Sequence, residues 1–417
     1  MLVVSLTNIY KYYAMTKKRY YFLVALLGAL TTIAPFSIDM YLPGFPAIAK
    51  DLGVTVSQVS LSLSGFFIGI SAGQLLYGPL MDRFGRKPPL YIALLVYIVT
   101  SLLCAFATSL DFLVAVRFAQ AMGACAATVA ANAMVRDLFP VEENAKVFSM
   151  LMLILGVSPI LAPTIGSYIT ASLGWQAVFI ILTAITAIIL IAIFFGLPES
   201  SKADPGYSLK PAAIIKSYLS VLREPVFYTY TFTGAIAFAG LFTYLSGSPY
   251  VFMELYKVSE KEYGWIFALL AGGLILASQV NRFLLKKYKS QQIVVGALIV
   301  KTITGMVLMI MATNGLLTLP LILVLLFMYL SCLGYILPNS SALAMSPFTK
   351  GAGSASALMG AIQMGIGACV STVVSMIQSG SLMPMAIVMS ACSIIALLVL
   401  LTGSRVIRYR VNVIAEA

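Results

Sequence analysis

The chain has 417 residues, of which 61% are hydrophobic and only 10% are charged, and its mean hydropathy is +1.00. Because soluble domains are roughly half apolar, this composition excludes a soluble globular protein. The sequence contains no histidine, and its five cysteines stand singly inside apolar runs, so we expect no metal site.

Apolar runs long enough to cross ~30 Å of hydrocarbon recur along the whole chain. They predict an all-α polytopic membrane protein with twelve transmembrane helices. In the first half the predicted spans are Tyr21–Pro43, Val59–Pro79, Pro89–Ala107, Phe112–Met134, Val147–Ile169 and Ala177–Leu197. In the second half they are Val226–Phe252, Gly264–Leu285, Ile293–Ala312, Leu316–Leu337, Ser354–Ile377 and Leu382–Thr402.

The order of the spans predicts two six-helix bundles joined by a polar linker, a layout typical of transporters built from repeats. The predicted boundaries are a lead at 1–19, a first bundle at 20–197, a linker at 198–222, a second bundle at 223–404 and a tail at 405–417. The lead is basic, and Met15 within it is an alternative start.

Positive charge is distributed unevenly about the predicted spans. Of the 26 lysines and arginines, 21 fall on the side of the N-terminus, three fall on the opposite side, and two, Arg117 and Lys301, lie within spans. Because cytoplasmic loops carry the excess of basic residues, this asymmetry predicts a multi-pass protein of the cell membrane with both termini in the cytoplasm. The net charge of +12 is then a topology signal, and we expect the lipid bilayer, and no nucleic acid, as a partner.

Span one carries an acidic residue, Asp39, between Pro35 and Pro43. Proline weakens the surrounding helix, and an apolar setting favours the neutral form of a carboxyl group. These features predict that Asp39 binds and releases a proton near neutral pH. The alternative is an ordinary carboxylate at the water boundary, because Asp39 lies near the outer end of the span.

A charged loop lies between spans two and three, at residues 78–87. Its candidate functional residues are Gly78, Asp82, Arg83, Gly85, Arg86 and Lys87. The two glycines allow tight turning and close backbone approach, and the mixed charges indicate a polar latch where two membrane helices meet. The alternative is a plain cytoplasmic anchor, which explains the basic residues but explains neither Asp82 nor the glycines.

Span four contains Arg117, with Gln120 three residues later and Gly123 one turn further on. This spacing puts the three residues on one face of a helix, and it predicts an inward-facing, water-lined position from which Arg117 favours the ionised form of Asp39. The alternative is an arginine that snorkels to the nearby surface. Lys301 in span nine has fewer polar neighbours, and we interpret it as snorkelling or structural.

Span five carries Pro159 and Pro163 on one face, followed by Gly166. The pattern is typical of a bent helix that packs closely, and the spacing alone leaves open whether the bend is a hinge or an ordinary kink. Candidates for lining a cavity between the bundles are Tyr41, Tyr228, Tyr244 and Gln363.

Several of these patterns carry a family resemblance. The loop at 78–87 resembles the G-x-x-x-D-R-x-G-R-K/R motif of the major facilitator superfamily, which falls between spans two and three. Asp39-Met40-Tyr41-Leu42-Pro43 resembles the span-one signature of the bicyclomycin-resistance branch of its drug:proton antiporters, and Arg117, Gln120 and Gly123 match the R-x-x-Q-x-x-G pattern of span four. Span five resembles the antiporter motif, although Ala162 precedes Pro163 and Ser167 follows Gly166. The second-half copy of the loop, at 281–287, is degenerate.

The resemblance implies the major facilitator fold and proton-coupled efflux of drug-like, mostly apolar compounds by alternating access. It implies that Asp82 faces the start of span eleven and that Arg86 pairs with Asp137, which together hold the outward-open state. Asp39, Arg117 and Gln120 then handle protons and substrate, and the proton gradient takes the place of a cofactor. We expect a monomer.

The alternative function is proton-coupled symport, or facilitated transport, of a small metabolite on the same fold. An enzyme is disfavoured because the sequence shows no catalytic or phosphate-binding motif. A channel is the remaining alternative.

Overall fold

The computed structural model describes residues 16–201, 203–204, 206, 208–348, 352–377 and 380–416. Across these residues the chain forms no strand, and twelve long helices are apolar enough to cross a membrane. The first six are α1 (Lys17–Asp39), α2 (Leu61–Phe84), α3 (Lys87–Ala105), α4 (Leu110–Leu138), α5 (Val141–Leu173) and α6 (Gln176–Gly196). The second six are α7 (Pro225–Pro249), α8 (Glu260–Leu284), α9 (Ser290–Thr313), α10 (Leu319–Met345), α11 (Ala352–Ile377) and α12 (Met383–Glu416). The all-α, twelve-span prediction is confirmed.

Shorter elements connect the long helices. Leu42–Gly44 forms a 3₁₀ turn directly after α1, and two short helices, Phe45–Leu52 and Val56–Val59, lead into α2. A π-helical turn, Tyr250–Leu255, extends α7, and the linker contains the helix Pro211–Leu222. Most of the predicted lead, including the alternative start at Met15, lies outside the described residues.

The helices pack mainly within their own half of the chain. In the first half α4 packs between α2 and α3, and α1 packs on α5; in the second half α10 packs on α8 and α9, and α12 packs on α7 and α9. Two pairs join the halves, α2 with α11 and α5 with α8. Small residues permit the close crossings, because a methyl group on Gly69 or Gly123 would overlap a backbone carbonyl of the facing helix.

Several boundaries differ from the predictions; for example, α10 ends at Met345 rather than Leu337 and α2 at Phe84 rather than Pro79. The linker was predicted as a polar connection but folds into a helix with Pro211 at its first position, where proline is well tolerated. α12 continues to Glu416, through the predicted tail, because no proline or glycine follows Gly403 to stop it. α5 begins at Val141 rather than Val147. Hydropathy marks where a membrane ends, whereas a helix ends only where its backbone is interrupted.

The two ends of the molecule differ in how the bundles meet. We call the end that carries residues 84–87 the latch end and the end where α1 and α11 finish the far end. From the far end inward, serine hydroxyls join the bundles: Ser60 to Ser375, Ser64 to Ser371 (2.8 Å), and Ser71 to the Ala361 carbonyl (2.8 Å). Ser246 of α7 also reaches Ser371 (2.6 Å). We call these residues the far-end seam, and they close the bundles against each other there.

Candidate functional site

Asp39 is the last residue of α1, and it lies inside the molecule rather than at its surface. Its exposed fraction is 6%, and it is the one acidic residue that is buried within the described part of the chain. No lysine or arginine among those residues makes an ion pair with it. A buried acid without a cation is costly in its ionised form, so this position can change its charge only together with its surroundings.

The elements around Asp39 include the proline-containing part of α5. Gly166 of α5 lies against the backbone of Met40, the residue after Asp39, so closely that any side chain there would overlap the Met40 carbonyl. On the other side of α5, Gly264 of α8 lies against the Pro163 carbonyl and Thr164. The structure therefore brings Asp39 and the span-five residues together at the point where the two bundles meet. Pro159 and Pro163 both lie inside the continuous α5.

Two tyrosines of the second bundle share this region with Asp39. Tyr244 in α7 and Tyr263 in α8 are both almost fully buried, and both helices contact the 3₁₀ turn that follows the end of α1. The Tyr263 hydroxyl lies 2.8 Å from Ser248 Oγ. Ser248 is also close to the Tyr244 hydroxyl, which makes no hydrogen bond of standard geometry. Sequence reasoning listed Tyr244 only as a cavity candidate and missed Tyr263 and Ser248, because no local pattern marks residues that meet across two bundles.

Arg117 is enclosed within the first bundle. It has no exposed surface, and its Nη1 donates to Gln120 Oε1 (2.7 Å), whose amide donates in turn to Ser101 (2.6 Å). Its guanidinium carbon lies 4.2 Å from the ring centre of Phe66 and 4.7 Å from that of Tyr41. The predicted water-lined position is therefore wrong, because aromatic rings rather than a polar channel surround the group.

The predicted interaction between Arg117 and Asp39 is also absent from this arrangement. Arg117 makes no ion pair within the described chain, and its Nε and Nη2 groups have no hydrogen-bond partner. The guanidinium packs against the aromatic rings around Tyr41. The Tyr41 hydroxyl forms a hydrogen bond with Ser62 Oγ on α2 (2.8 Å). Gln120, predicted from its i+3 spacing to share a helix face with Arg117, is the side chain that accepts its hydrogen bond.

Lys301 is buried in the second bundle, so the snorkelling interpretation is wrong and a structural one remains. Its Nζ donates to the Tyr329 carbonyl (3.1 Å) and lies 3.3 Å from the centre of the Tyr329 ring. Tyr329 is itself fixed by a hydrogen bond from its hydroxyl to the Met389 carbonyl. No ion pair reaches Lys301 from the described residues.

The charged loop forms an ion-paired latch at the ends of α2 and α4. Arg86 Nε lies 2.9 Å from Asp137 Oδ2, the pairing implied by the resemblance, and Arg86 Nη1 lies 2.7 Å from Asp82 Oδ1. Partial desolvation opposes the Arg86 charge, but hydrogen bonds to Asp137 and Asp82 outweigh it and raise the Arg86 pKa above its usual value. Asp82 thus contacts Arg86, and across a cavity it faces Gly353 and Ser354 at the start of α11. Gly351 lies outside the described residues.

The linker completes the latch through contacts that no pattern in the sequence indicated. Glu199 accepts hydrogen bonds from the backbone N–H groups of Arg86 and Lys87 (3.0 Å each), at the start of α3, where a helix favours negative charge. Ser200 donates to Asp137 (2.9 Å), and Lys87 Nζ donates to the Leu197 carbonyl (2.7 Å).

The remaining latch candidates, Gly85, Gly78 and Arg83, differ in their surroundings. Gly85 has a φ of 87°, which favours glycine, and it lies against Glu199. Gly78 lies inside α2 with open space around it, so the close approach predicted for it is wrong. Arg83 is half-buried in the last turn of α2.

A cavity of about 530 Å³ lies at the latch end between α2, α4, α11 and the linker helix. Its polar lining includes Gln74, Asn132, Arg136, Ser217, Tyr218 and Ser354. None of the four predicted cavity residues lines it: Tyr41 and Tyr244 are buried in packed layers, and Tyr228 and Gln363 are half-buried elsewhere. The volume falls in the range of sites for drug-sized ligands.

Comparison with known proteins places the chain in a family. The model of the major facilitator superfamily matches residues 27–372. A bicyclomycin resistance protein homolog of Haemophilus influenzae is 30% identical over 382 residues, covering 92% of this chain and 96% of that protein. An uncharacterized MFS-type transporter, YdgK of Bacillus subtilis, is 34% identical (89% and 93% covered), and the multidrug resistance protein MdtL of Escherichia coli is 30% identical (89% and 93%).

Solved structures show the same fold. A bacterial homolog of the human lysosomal transporter Spinster superposes with a TM-score of 0.68 at 13% identity, covering 94% of this chain and 98% of that one. The match covers most of this chain and most of each relative. The chain belongs to the major facilitator superfamily and is a membrane transporter, not an enzyme.

Proposed function

We propose that this transporter exports drug-like, mostly apolar compounds in exchange for protons. The observation that carries the proposal is Asp39, a buried acid without a cation partner at the junction of the two bundles. A carboxyl group in such a site is most stable when protonated and must gain water or donors before it ionises. The names of the relatives from Haemophilus influenzae and Escherichia coli support drug efflux.

The cycle we propose is alternating access, with both termini and the latch end in the cytoplasm of a monomer in the cell membrane. The substrate enters the latch-end cavity while the far-end seam is closed. Opening of the far end lets the substrate leave, and Asp39 then takes up a proton from outside. An inward charge movement releases ~2.3 kcal/mol per 100 mV, so the proton gradient drives uphill export without another cofactor.

The test is the Asp39→Asn variant in proteoliposomes with an imposed pH gradient and a lipophilic fluorescent cation as the transported probe. We expect the wild type to move the probe against its gradient when protons flow the opposite way, and the variant to lose this coupling while keeping its thermal stability. Uphill export by the variant at the wild-type rate would overturn the proposal. Co-directional movement of probe and protons would indicate the symport alternative.

A further inference from the structure

The hydroxyl groups near Asp39 belong to the second bundle, although Asp39 belongs to the first. Tyr263 begins α8 and Tyr244 lies in the last turns of α7, and α8 contacts the 3₁₀ turn that directly follows Asp39. A change in the charge of Asp39 therefore changes its electrostatic interaction with the second bundle, which moves relative to the first in the proposed cycle.

One of these hydroxyls is unpaired in the closed state. The Tyr244 hydroxyl is buried, with a side chain only 1% exposed, and has no hydrogen-bond partner. Leaving a buried donor unpaired costs about 1–3 kcal/mol, so such a group points to a partner that it meets in another state. The Tyr263 hydroxyl is paired with Ser248, and since a hydroxyl can donate or accept, Ser248 can accept from Tyr263 now and release it later.

We propose that Tyr244 and Tyr263 are positioning residues that donate hydrogen bonds to the Asp39 carboxylate when it loses its proton. The proposal rests on the proton exchange proposed above for Asp39. A buried carboxylate needs several donors to be stable, and no cation among the described residues pairs with Asp39. With the two tyrosines as donors, ionisation of Asp39 draws α7 and α8 toward the end of α1, and protonation releases them. While Asp39 is protonated, the Tyr263 hydroxyl is hydrogen-bonded to Ser248 instead.

Other ionisable groups belong to elements packed near this end of α1. They include Tyr97, whose hydroxyl lies 2.6 Å from Ser37 Oγ, together with Tyr41, Arg117, Tyr168, Glu260, Lys261 and Glu262. Arg117 is shielded by the rings of Tyr41 and Phe66, and Lys261 lies over the ring of Tyr168. Glu260 is an acid on α8, one turn before Tyr263. Its negative charge could act on Asp39 at long range, so the experiment needs a variant that removes it.

The experiment measures the protonation of Asp39 directly. The full-length protein in lipid vesicles is treated with dicyclohexylcarbodiimide, which modifies protonated carboxyl groups, and labelling of Asp39 is followed by mass spectrometry from pH 5 to 9. In Tyr244→Phe and Tyr263→Phe we expect labelling to persist to a higher pH, with the midpoint displaced by about one pH unit, the size expected for loss of one charge-assisted hydrogen bond. Ser248→Ala should displace it less.

Two controls separate this effect from damage to the fold. Tyr329→Phe removes another buried hydroxyl of the same bundle, one that donates to the Met389 carbonyl, and Glu260→Gln removes the nearby acid; neither should move the midpoint. Equal midpoints in wild type and in every tyrosine variant would overturn the inference. Labelling of Asp39 that is absent or independent of pH in the wild type would instead overturn the proposed proton exchange. If one tyrosine variant fails to fold, the other still decides the question.

Discussion

At the scale of single residues, Gly166 fixes how closely α5 approaches the end of α1. A methyl group at this position would overlap the Met40 carbonyl, and overpacking a tight interior contact costs about 1–3 kcal/mol. We therefore expect Gly166→Ala to lower the unfolding temperature in detergent and to slow transport, because the backbone beside Asp39 has to shift.

The matched control is Gly156→Ala in the same helix. Gly156 has open space where a methyl group would lie, and replacing glycine by alanine in a helix gains about 0.5–1 kcal/mol. The two variants should therefore change the unfolding temperature in opposite directions. Equal effects would show that the contact with Met40 does not limit the packing of α5.

Two buried cations are stabilised by aromatic rings rather than by acidic partners. Arg117 in the first bundle and Lys301 in the second both lie against aromatic rings, and neither has an ion-pair partner among the described residues. A desolvated cation over a ring gains ~2 kcal/mol or more, which offsets part of the burial. Asp39 has neither an aromatic ring nor an ion-pair partner of this kind among the described residues, which agrees with the proton exchange proposed for it.

At the scale of elements, Glu199 ties the linker to the start of α3. Glu199→Gln keeps the shape of the side chain but removes the negative charge, whose interaction with a helix N-terminus contributes about 0.3–1 kcal/mol. We expect amide hydrogen exchange at Arg86, Lys87 and Leu90 to become about two- to five-fold faster. Lys216→Gln, an exposed change elsewhere in the linker, should leave the exchange rates unaltered. Unchanged exchange in Glu199→Gln would show that the latch is held by its arginine alone.

The sequence predicted elements better than it predicted contacts between them. Twelve apolar runs were sufficient to locate α1 to α12 because each span must satisfy its own backbone in lipid. The pairing of Arg86 with Asp137 was expected only through the family resemblance. The residues of the second bundle near Asp39 were out of reach, since Tyr244 and Tyr263 lie more than 200 residues further along the chain. The surroundings of Arg117 were misjudged for a related reason: Gln120, one turn away on the same helix, is polar, but Phe66 comes from another helix.

At the scale of the whole molecule, the two ends differ in how the bundles meet. Neutral serine hydroxyls of α2, α7 and α11 close the far-end seam, whereas the ion pairs of the latch all lie within the first bundle and a cavity separates the bundles at that end. Neutral hydrogen bonds contribute only about 0.5–1.5 kcal/mol each, and water can replace them. A seam of this kind can open without leaving buried charge exposed to lipid, which suits a gate that must open in every cycle.

This difference predicts that a single cross-link at the seam stops transport. Ser64 and Ser371 belong to different bundles and their hydroxyl oxygens are 2.8 Å apart, so Ser64→Cys combined with Ser371→Cys should form a disulfide on mild oxidation. A Cys369→Ser background removes the exposed native thiol nearby. We expect uptake of a lipophilic fluorescent cation into inverted vesicles to fall to the level of empty vesicles and to recover with reductant, while either single-cysteine variant stays active under oxidation. Transport that continues with the disulfide formed would mean that the bundles do not separate at the far end, and alternating access through this seam would have to be abandoned.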